Sequence, residues 1–540
     1  MFNQLITLAI GISVVLGSNE AISPAQLQDL QKRFNSYYNG NSTISVKGIT
    51  VGGWLVTEPY ITPSLYEQAL WLAENTTNPT SIVDEYTLCE ALGYESALSL
   101  LQDHWDTWIN EEDFKKISDD GFNLVRIPIG YWAWKQDNET DRYVGNITYH
   151  DPYVGNGLQL KYLEKALSWA QKYSLNVWID LHGAPSSQNG FDNSGHRDLY
   201  ATELGWLATS ESRRLTLAVW KSIFESYLSN NSESPVVGIE IMNEPLSPKL
   251  DSDVMTKYYY EAFKMFKQQQ TSDDNTTFVI HDAFEEIGHW NLHFNPQFQN
   301  VSSKYLNISN LTYSQQNILV DHHHYEVFTD SQLNNTQYQR IINIINYGES
   351  VHQELPYHPA VVGEWSGAIT DCAFWLNGLG VGSRYDGSYY NTTNFTASGP
   401  PIGKCSSQLP ASAWNSQYRV QVRQFIEAQL ATYSMKTSGW IFWNWKTENA
   451  TEWDYLKLKE NGLFPSPFDN YTYFQVDGTL KPSVSKSLSK EATATSTKTK
   501  NAAVALRAPF SDLQVQPISL TIKTLMLAPM LSVALACIFL

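Results

Sequence analysis

Two glutamates stand out by where they fall. Glu244 sits in GIEIMNEP and Glu364 in AVVGEWS, each at the end of an apolar run. Other reactive side chains follow similar runs: Arg126 in LVRIPIGYW, His182 in WIDLHGAP, His322–Tyr325 in DHHHY and Trp443 in IFWNW. One polar residue after an apolar run is an ordinary structural hydrogen bond, but six convergent ends are hard to explain as packing. Two carboxyls suit cleavage of a glycosidic bond, one protonated to feed the leaving oxygen and one ionised to attack or to activate water. The acid then needs a pKa raised above the ordinary glutamate value of about 4.3. Arg126 can hold a carboxylate ionised, which suits the nucleophile. Trp365 and Trp443 offer apolar walls and a stacking face for a sugar ring.

The histidine run invites a metal reading, which the strand period argues against. Neighbouring strand residues point to opposite faces, so three consecutive histidines cannot share one ion. Hydrogen bonding to sugar hydroxyls is the better use of His323 and Tyr325, and no metal or cofactor is expected.

The runs that position these residues are Gly48–Val56, Asn123–Ile129, Val177–Leu181, Val237–Met242, Phe278–His281, Ile318–His322, Ala360–Gly363 and Gly439–Trp443. They are apolar on both faces, as parallel strands covered by helices must be. Lys161–Tyr173 between two of them has helical spacing. Eight such runs alternating with helices predict an α/β fold, a (β/α)8 TIM barrel, with the reactive residues at the C-terminal mouth of the strands. A doubly wound sheet is the alternative, but no Gly-rich dinucleotide turn follows the first run. Residues 57–122 and 366–438 exceed a minimal barrel and are expected as long loops on the catalytic face.

Composition narrows the partner. The chain has 540 residues, and 36 Lys+Arg against 55 Asp+Glu leave a formal net charge of −19, which repels nucleic acid. Aromatics reach 13%, suiting a partner with apolar ring faces and many hydroxyls. Four cysteines are too few for a disulfide-dense scaffold.

Both termini read as processing signals. Residues 1–18 hold a short apolar run ending in small residues, a secretory leader. Lys32-Arg33 marks a pro-peptide, 19–33, and 34–482 is the catalytic domain. Residues 483–503 are Ser/Thr-rich and read as a disordered stalk. Residues 504–540 end in an apolar tail, Leu525–Leu540, matching a GPI-attachment signal with Asn501 as the attachment site. Fourteen N-x-[ST] sequons, among them Asn41, Asn75, Asn146, Asn275, Asn310, Asn391 and Asn470, agree with secretion. The expected location is the cell surface, anchored to plasma membrane or wall.

The strings RIPIGYWAW, WIDLHGAPSSQNGFDNSGHRD, GIEIMNEP, DHHHYEVF, GEWSGAITDCAFWLNG and GWIFWNWKTENA resemble, in order and over residues 46–482, fungal exo-β-1,3-glucanases of glycoside hydrolase family five, clan A. The resemblance implies a retaining (β/α)8 hydrolase with Glu244 as acid/base and Glu364 as nucleophile. It implies that Arg126, Asn243, His182, His323 and Tyr325 order the glutamates and the sugar. Glu58 and Asp192-Asn193 are similar to residues gripping the terminal glucose at the pocket's far end. Trp443 resembles a stacking platform, and Phe191 and Phe328 an aromatic clamp at the entrance. Cys372 and Cys405 resemble a family disulfide, which leaves Cys89 a free thiol. The implied partner is a β-glucan of the cell wall, acted on by a monomer releasing glucose from non-reducing ends and transferring some to other glucans. A β-1,6-glucanase or cellulase relative, or an inactive glucan-binding surface glycoprotein, are the alternatives. Retention of both glutamates, Arg126 and Asn243 favours the enzyme.

Overall fold

The computed structural model describes residues 46–490 apart from 75–80, 138–141, 145–146, 149, 156, 199–202, 229–233, 272–273, 392–395, 398 and 406–409. The leader, the pro-peptide, the stalk beyond 490, Asn501 and the apolar tail lie outside the described residues.

Eight strands form a closed, all-parallel barrel in chain order: β1 (Val46–Thr50), β2 (Leu124–Gly130), β3 (Asn176–Gly183), β4 (Val236–Glu240), β5 (Thr277–His281), β6 (Ile318–His323), β7 (Ala360–Glu364) and β8 (Gly439–Phe442). β1 pairs with β2 on one side and with β8 on the other, which closes the ring. Long crossover helices cover β2, β3, β4, β6 and β7, at Leu158–Lys172, Ser210–Tyr227, Ser252–Gln269, Gln337–His352 and Ser416–Lys436. The crossover from β5 to β6 consists of short helical turns.

Alternation along the strands sorts side chains into layers. Val46, Leu124, Trp178, Val279, Leu319, Val361 and Ile441 form an apolar plug inside the barrel. A Cβ on Gly238 would meet the Trp178 indole at 2.5 Å, so glycine there is what admits the large ring. The larger core lies between strands and helices.

Four sequence expectations need correction. The first strand ends at Thr50 rather than Val56, because Gly53 at φ +67° turns the chain and Leu55 only bridges to Ile129. Residues 57–122 carry three helices, Pro63–Ala73, Glu85–Thr107 and Glu111–Asp119, the last two opened by capping boxes from Asp84 and Asn110. The second expected loop ends in the crossover helix Ser416–Lys436. Residues 483–490, assigned to a disordered stalk, are helical, with Leu488 buried and Val484 packed on the core. That Val–Leu pair at i, i+4 is the signal that Ser-rich composition concealed.

The Cys372–Cys405 disulfide closes a 33-residue span after β7, and Cys89 is a buried cysteine outside that disulfide, on the helix Glu85–Thr107. Among the described residues no helix is long and apolar enough to cross a membrane.

Candidate active site

Above the apolar plug the barrel interior turns polar. Arg126, expected at a strand mouth, sits in the middle of β2 with 0% exposure and extends its guanidinium through the barrel. Its Nε donates to Glu240 Oε2 (2.8 Å), Nη1 to Glu364 Oε1 (2.5 Å) and Nη2 to Asn243 Oδ1 (2.8 Å), and Asp180 lies 3.1 Å from Nη2. A planar fork can reach all of these at once; an ammonium cannot.

Glu364 is the last residue of β7. Its second oxygen accepts from Tyr325 Oη (2.8 Å). Glu244 follows β4 in the left-handed region, φ +45°, a strained backbone for a non-glycine residue. Gln188 supports that turn by donating from one amide to the carbonyls of His182 and Asn243. Glu244 Oε1 meets His323 Nδ1 at 2.8 Å, and Oε2 accepts from Asn193 Nδ2 at 2.9 Å. His323 Nδ1 also lies 3.5 Å from Glu364 Oε2. Two carboxylate oxygens on one nitrogen can be no further apart than the sum of these distances. The two carboxyl groups thus approach one shared nitrogen, close enough to flank a single bond as a retaining pair does.

Burial alone would raise Glu244, but the hydrogen bond and charge of His323 and the Asn193 amide bring it below its ordinary value. Burial raises Glu364, outweighing the lowering effect of His323 and Arg126. These directions run opposite to the expected high acid and low nucleophile. The cause is geometric: His323 stands nearer Glu244, and Arg126 divides its charge among Asp180, Glu240 and Glu364. Burial also pushes His323 down, yet Glu364, Asp321 and Glu244 hold it well above the usual histidine value. His323 and Glu244 are thus joined by one short hydrogen bond along which a proton can pass.

The remaining site residues surround this centre. His182 Nδ1 bonds Asp180 Oδ2 (2.6 Å), and its Nε2 lies 3.4 Å from the Asn243 amide. Trp443 stacks on the His182 ring, centroids 5.7 Å apart and planes 6° apart, and donates its indole N–H to Tyr60 Oη. Glu58 is buried with one oxygen unpaired, and burial followed by the charge of Asp192 raises it well above the usual range. Asp192 is raised to about 6, mainly by burial. Nearby, Arg197 Nη1 donates to the Leu379 carbonyl (3.4 Å), joining the loops after β3 and β7. Phe328 is half-buried against Tyr325 and Trp453.

Two placements differ from expectation. Asn193 binds Glu244 instead of closing the far end with Asp192. Trp365 is fully buried behind the barrel against Phe442 and Phe464, because its neighbour Glu364 takes the inward position.

Sequence reading overlooked Asp180, Glu240, Asp321, His281, Tyr60 and Trp453. The signal for two of them is a repeated D-x-H, Asp180-x-His182 and Asp321-x-His323, whose period of two puts both members inside the barrel. Glu244 with His281 and His323, and Glu240 with Asp321 and His323, approach metal-ligand spacing. The chemistry of the donors is wrong for a cation: His281 Nδ1 accepts the Ala283 N–H, so its ring proton lies on Nε2, and Arg126 already neutralises Glu240.

Comparison with known proteins places this geometry. Residues 89–373 match the model of cellulase, glycosyl hydrolase family 5. The chain is 60% identical over 532 residues to glucan 1,3-beta-glucosidase 2 of Saccharomyces cerevisiae, covering 96% of this chain and 94% of that protein. It is 40% identical to glucan 1,3-beta-glucosidase 2 of Candida albicans, over 86% of this chain and 93% of that one. A rutinosidase from Aspergillus niger, 18% identical, shares the fold with a TM-score of 0.55 over 79% of this chain and 100% of that one. With a closed eightfold parallel barrel, glutamates at the C-terminal ends of its fourth and seventh strands and these relatives, the chain belongs to glycosyl hydrolase family 5, among its fungal glucan 1,3-β-glucosidases.

Proposed function

We propose that this protein is a retaining exo-glucanase that removes glucose from the non-reducing ends of β-1,3-glucan, with Glu364 as nucleophile and Glu244 as acid/base. The observation that carries the division of labour is the difference in partners: Arg126 and Tyr325 donate to Glu364, whereas His323 and Asn193 hold Glu244. The linkage follows the relatives named above.

In the first half-reaction Glu364 attacks the anomeric carbon, the glycosidic C–O bond breaks, and Glu244 gives its proton to the departing oxygen. In the second, Glu244 takes a proton from water, which attacks the same carbon and frees Glu364; two inversions return the β configuration. A sugar hydroxyl replacing water gives transfer instead. Arg126 and Tyr325 aim the two Glu364 oxygens, and His323 supplies the proton that Glu244 passes on. Trp443 backed by His182 offers a flat face for a ring. Glu58, Asp192 and the Arg197–Leu379 contact support a blind end, which favours release of single glucose units.

Glu244→Ala tests the assignment. It should retain turnover of a dinitrophenyl β-glucoside while losing laminarin hydrolysis, and azide should yield the β-glucosyl azide. Equal loss on both substrates refutes Glu244 as the acid. Incubation with laminarin, pustulan and cellulose oligomers reads the linkage.

We also read the chain as a secreted, GPI-anchored glycoprotein. All seven sequon asparagines with described side chains, Asn275, Asn300, Asn307, Asn310, Asn334, Asn449 and Asn470, are exposed, which supports glycosylation. A mass shift on glycosidase treatment and release from membranes by a GPI-cleaving phospholipase are the checks.

A further inference from the structure

We infer that Asp321 is a positioning residue for acid–base catalysis: from the layer beneath, its carboxylate holds His323 with the Nδ1–H aimed at Glu244, so the three side chains keep one proton store. The inference rests on the reading of Glu244 as acid/base.

Asp321 is on β6, two residues before His323, so both point into the barrel and the imidazole stands directly above the carboxylate. His323 Nε2 lies 3.7 Å from Asp321 Oδ2, and His323 Nδ1 2.8 Å from Glu244 Oε1. The ring is therefore bracketed by a carboxylate at each nitrogen. Asp321 has 0% exposure, and neither of its oxygens accepts a hydrogen bond from the described residues; His323 Nε2 is likewise unbonded. Asp321 Oδ2 and His323 Nε2 are thus buried polar atoms without a hydrogen-bond partner among the described residues, facing one another at ion-pair distance, where each lowers the penalty of burying the other.

The neighbouring strand is shaped around this carboxylate. Gly363 on β7 has no side chain at the one position where a Cβ would run into both Asp321 oxygens. The sister pair on β3 shows the same device completed: Asp180, two residues before His182, bonds its Nδ1 at 2.6 Å. A partner on one imidazole nitrogen fixes what the other nitrogen presents.

Other charges face the pair from every side. Glu364 on β7 lies 3.5 Å from His323 Nδ1, and the neutral His281 on β5 packs edge-on against the ring, centroids 4.3 Å apart. Arg126 and Glu240 feel the Asp321 charge from β2 and β4, and Tyr347 feels it from the helix Gln337–His352. Arg126 is already bonded to Glu240, Glu364 and Asn243, so the carboxylate remains an effective anion for His323.

Asp321→Asn removes the charge and keeps the shape. Losing an anion beneath the His323–Glu244 pair makes every proton of that pair easier to lose, however it is shared. The basic limb of kcat/KM against pH for laminaribiose should move down by about one unit or more. The dinitrophenyl glucoside, whose leaving group needs no proton, should lose several-fold less activity than laminaribiose. A uniform drop at all pH values, with the limb unmoved, overturns the inference. If Asp321→Asn does not fold, imidazole nitrogen NMR of the unsubstituted enzyme decides, with His323 assigned through His323→Gln. Both His323 nitrogens should be protonated at pH 5–7, and a neutral tautomer overturns the proposal. Failure of Glu244→Ala to separate the two substrates would instead remove the functional reading beneath it.

Discussion

Replacing Tyr325 with phenylalanine deletes one oxygen from the site and little else. The ring keeps its packing against Phe328 and Trp453, with centroids at 5.6 and 5.1 Å. What disappears is the donor 2.8 Å from Glu364 Oε2, leaving Arg126 on the other oxygen. Burial, followed by the nearby Glu364 charge, raises Tyr325 well above the ordinary phenol range, so the hydroxyl stays a donor throughout the working pH range. A hydrogen bond to a charged group contributes about 1.5–3 kcal/mol. One pKa unit equals about 1.4 kcal/mol, so deleting a donor that favours the ionised form raises Glu364 by about 1–2 units. Glu364 already stands above its ordinary value, and the variant moves it further the same way. The acid limb of kcat/KM against pH should therefore shift upward by about 1–2 units, measured on an aryl β-glucoside so that proton donation does not limit the rate. The basic limb should stay in place. An acid limb that does not move, in a variant with unchanged thermal unfolding, would refute the reasoning that Tyr325 holds Glu364 ionised.

Other perturbations probe the frame. His322 faces outward from β6 and bridges Asp282 (2.8 Å) and Glu354 (2.5 Å); its pKa is raised to about 10 by these partners acting against burial. Because the folded value lies above the unfolded value of about 6.5, its contribution is full below that pH and is lost as pH rises towards 10. Tm should thus decline more steeply from pH 6.5 to 10 in the parent than in His322→Gln, and equal slopes would contradict the bridge. Reducing Cys372–Cys405, a 33-residue span, should lower stability by about 3–4 kcal/mol in denaturant titration, with Cys89 still protected from alkylation. A chain ended after Lys490 should keep its Tm, whereas Leu488→Ala should lose about 2–5 kcal/mol by opening a cavity under the last helix.

The barrel was legible because parallel strands covered on both faces must be continuously apolar, a signal local in sequence. The glutamates, His323 and Tyr325 were legible for the same reason, being the polar residues that interrupt such runs. The interior of the barrel was harder to read. Asp180, Glu240 and Asp321 lie within strands where a carboxylate makes sense only once Arg126 reaches across from β2 and, for Asp180 and Asp321, the histidine two residues further along the same strand turns to it. The proton distribution was misread because it depends on whether His323 stands nearer Glu244 or Glu364, a difference set by three-dimensional approach. The terminal helix escaped notice because two apolar residues among serines are too few to reveal a period.

The configuration of the first-formed product tests the central claim most directly. Proton NMR of laminaritriose hydrolysis, recorded before mutarotation, should show glucose appearing first as the β anomer, as double displacement through Glu364 requires. Glu364→Ala should in turn abolish hydrolysis and, with azide, give the α-glucosyl azide. First-formed α-glucose would contradict the assignment of Glu244 and Glu364 to a retaining pair.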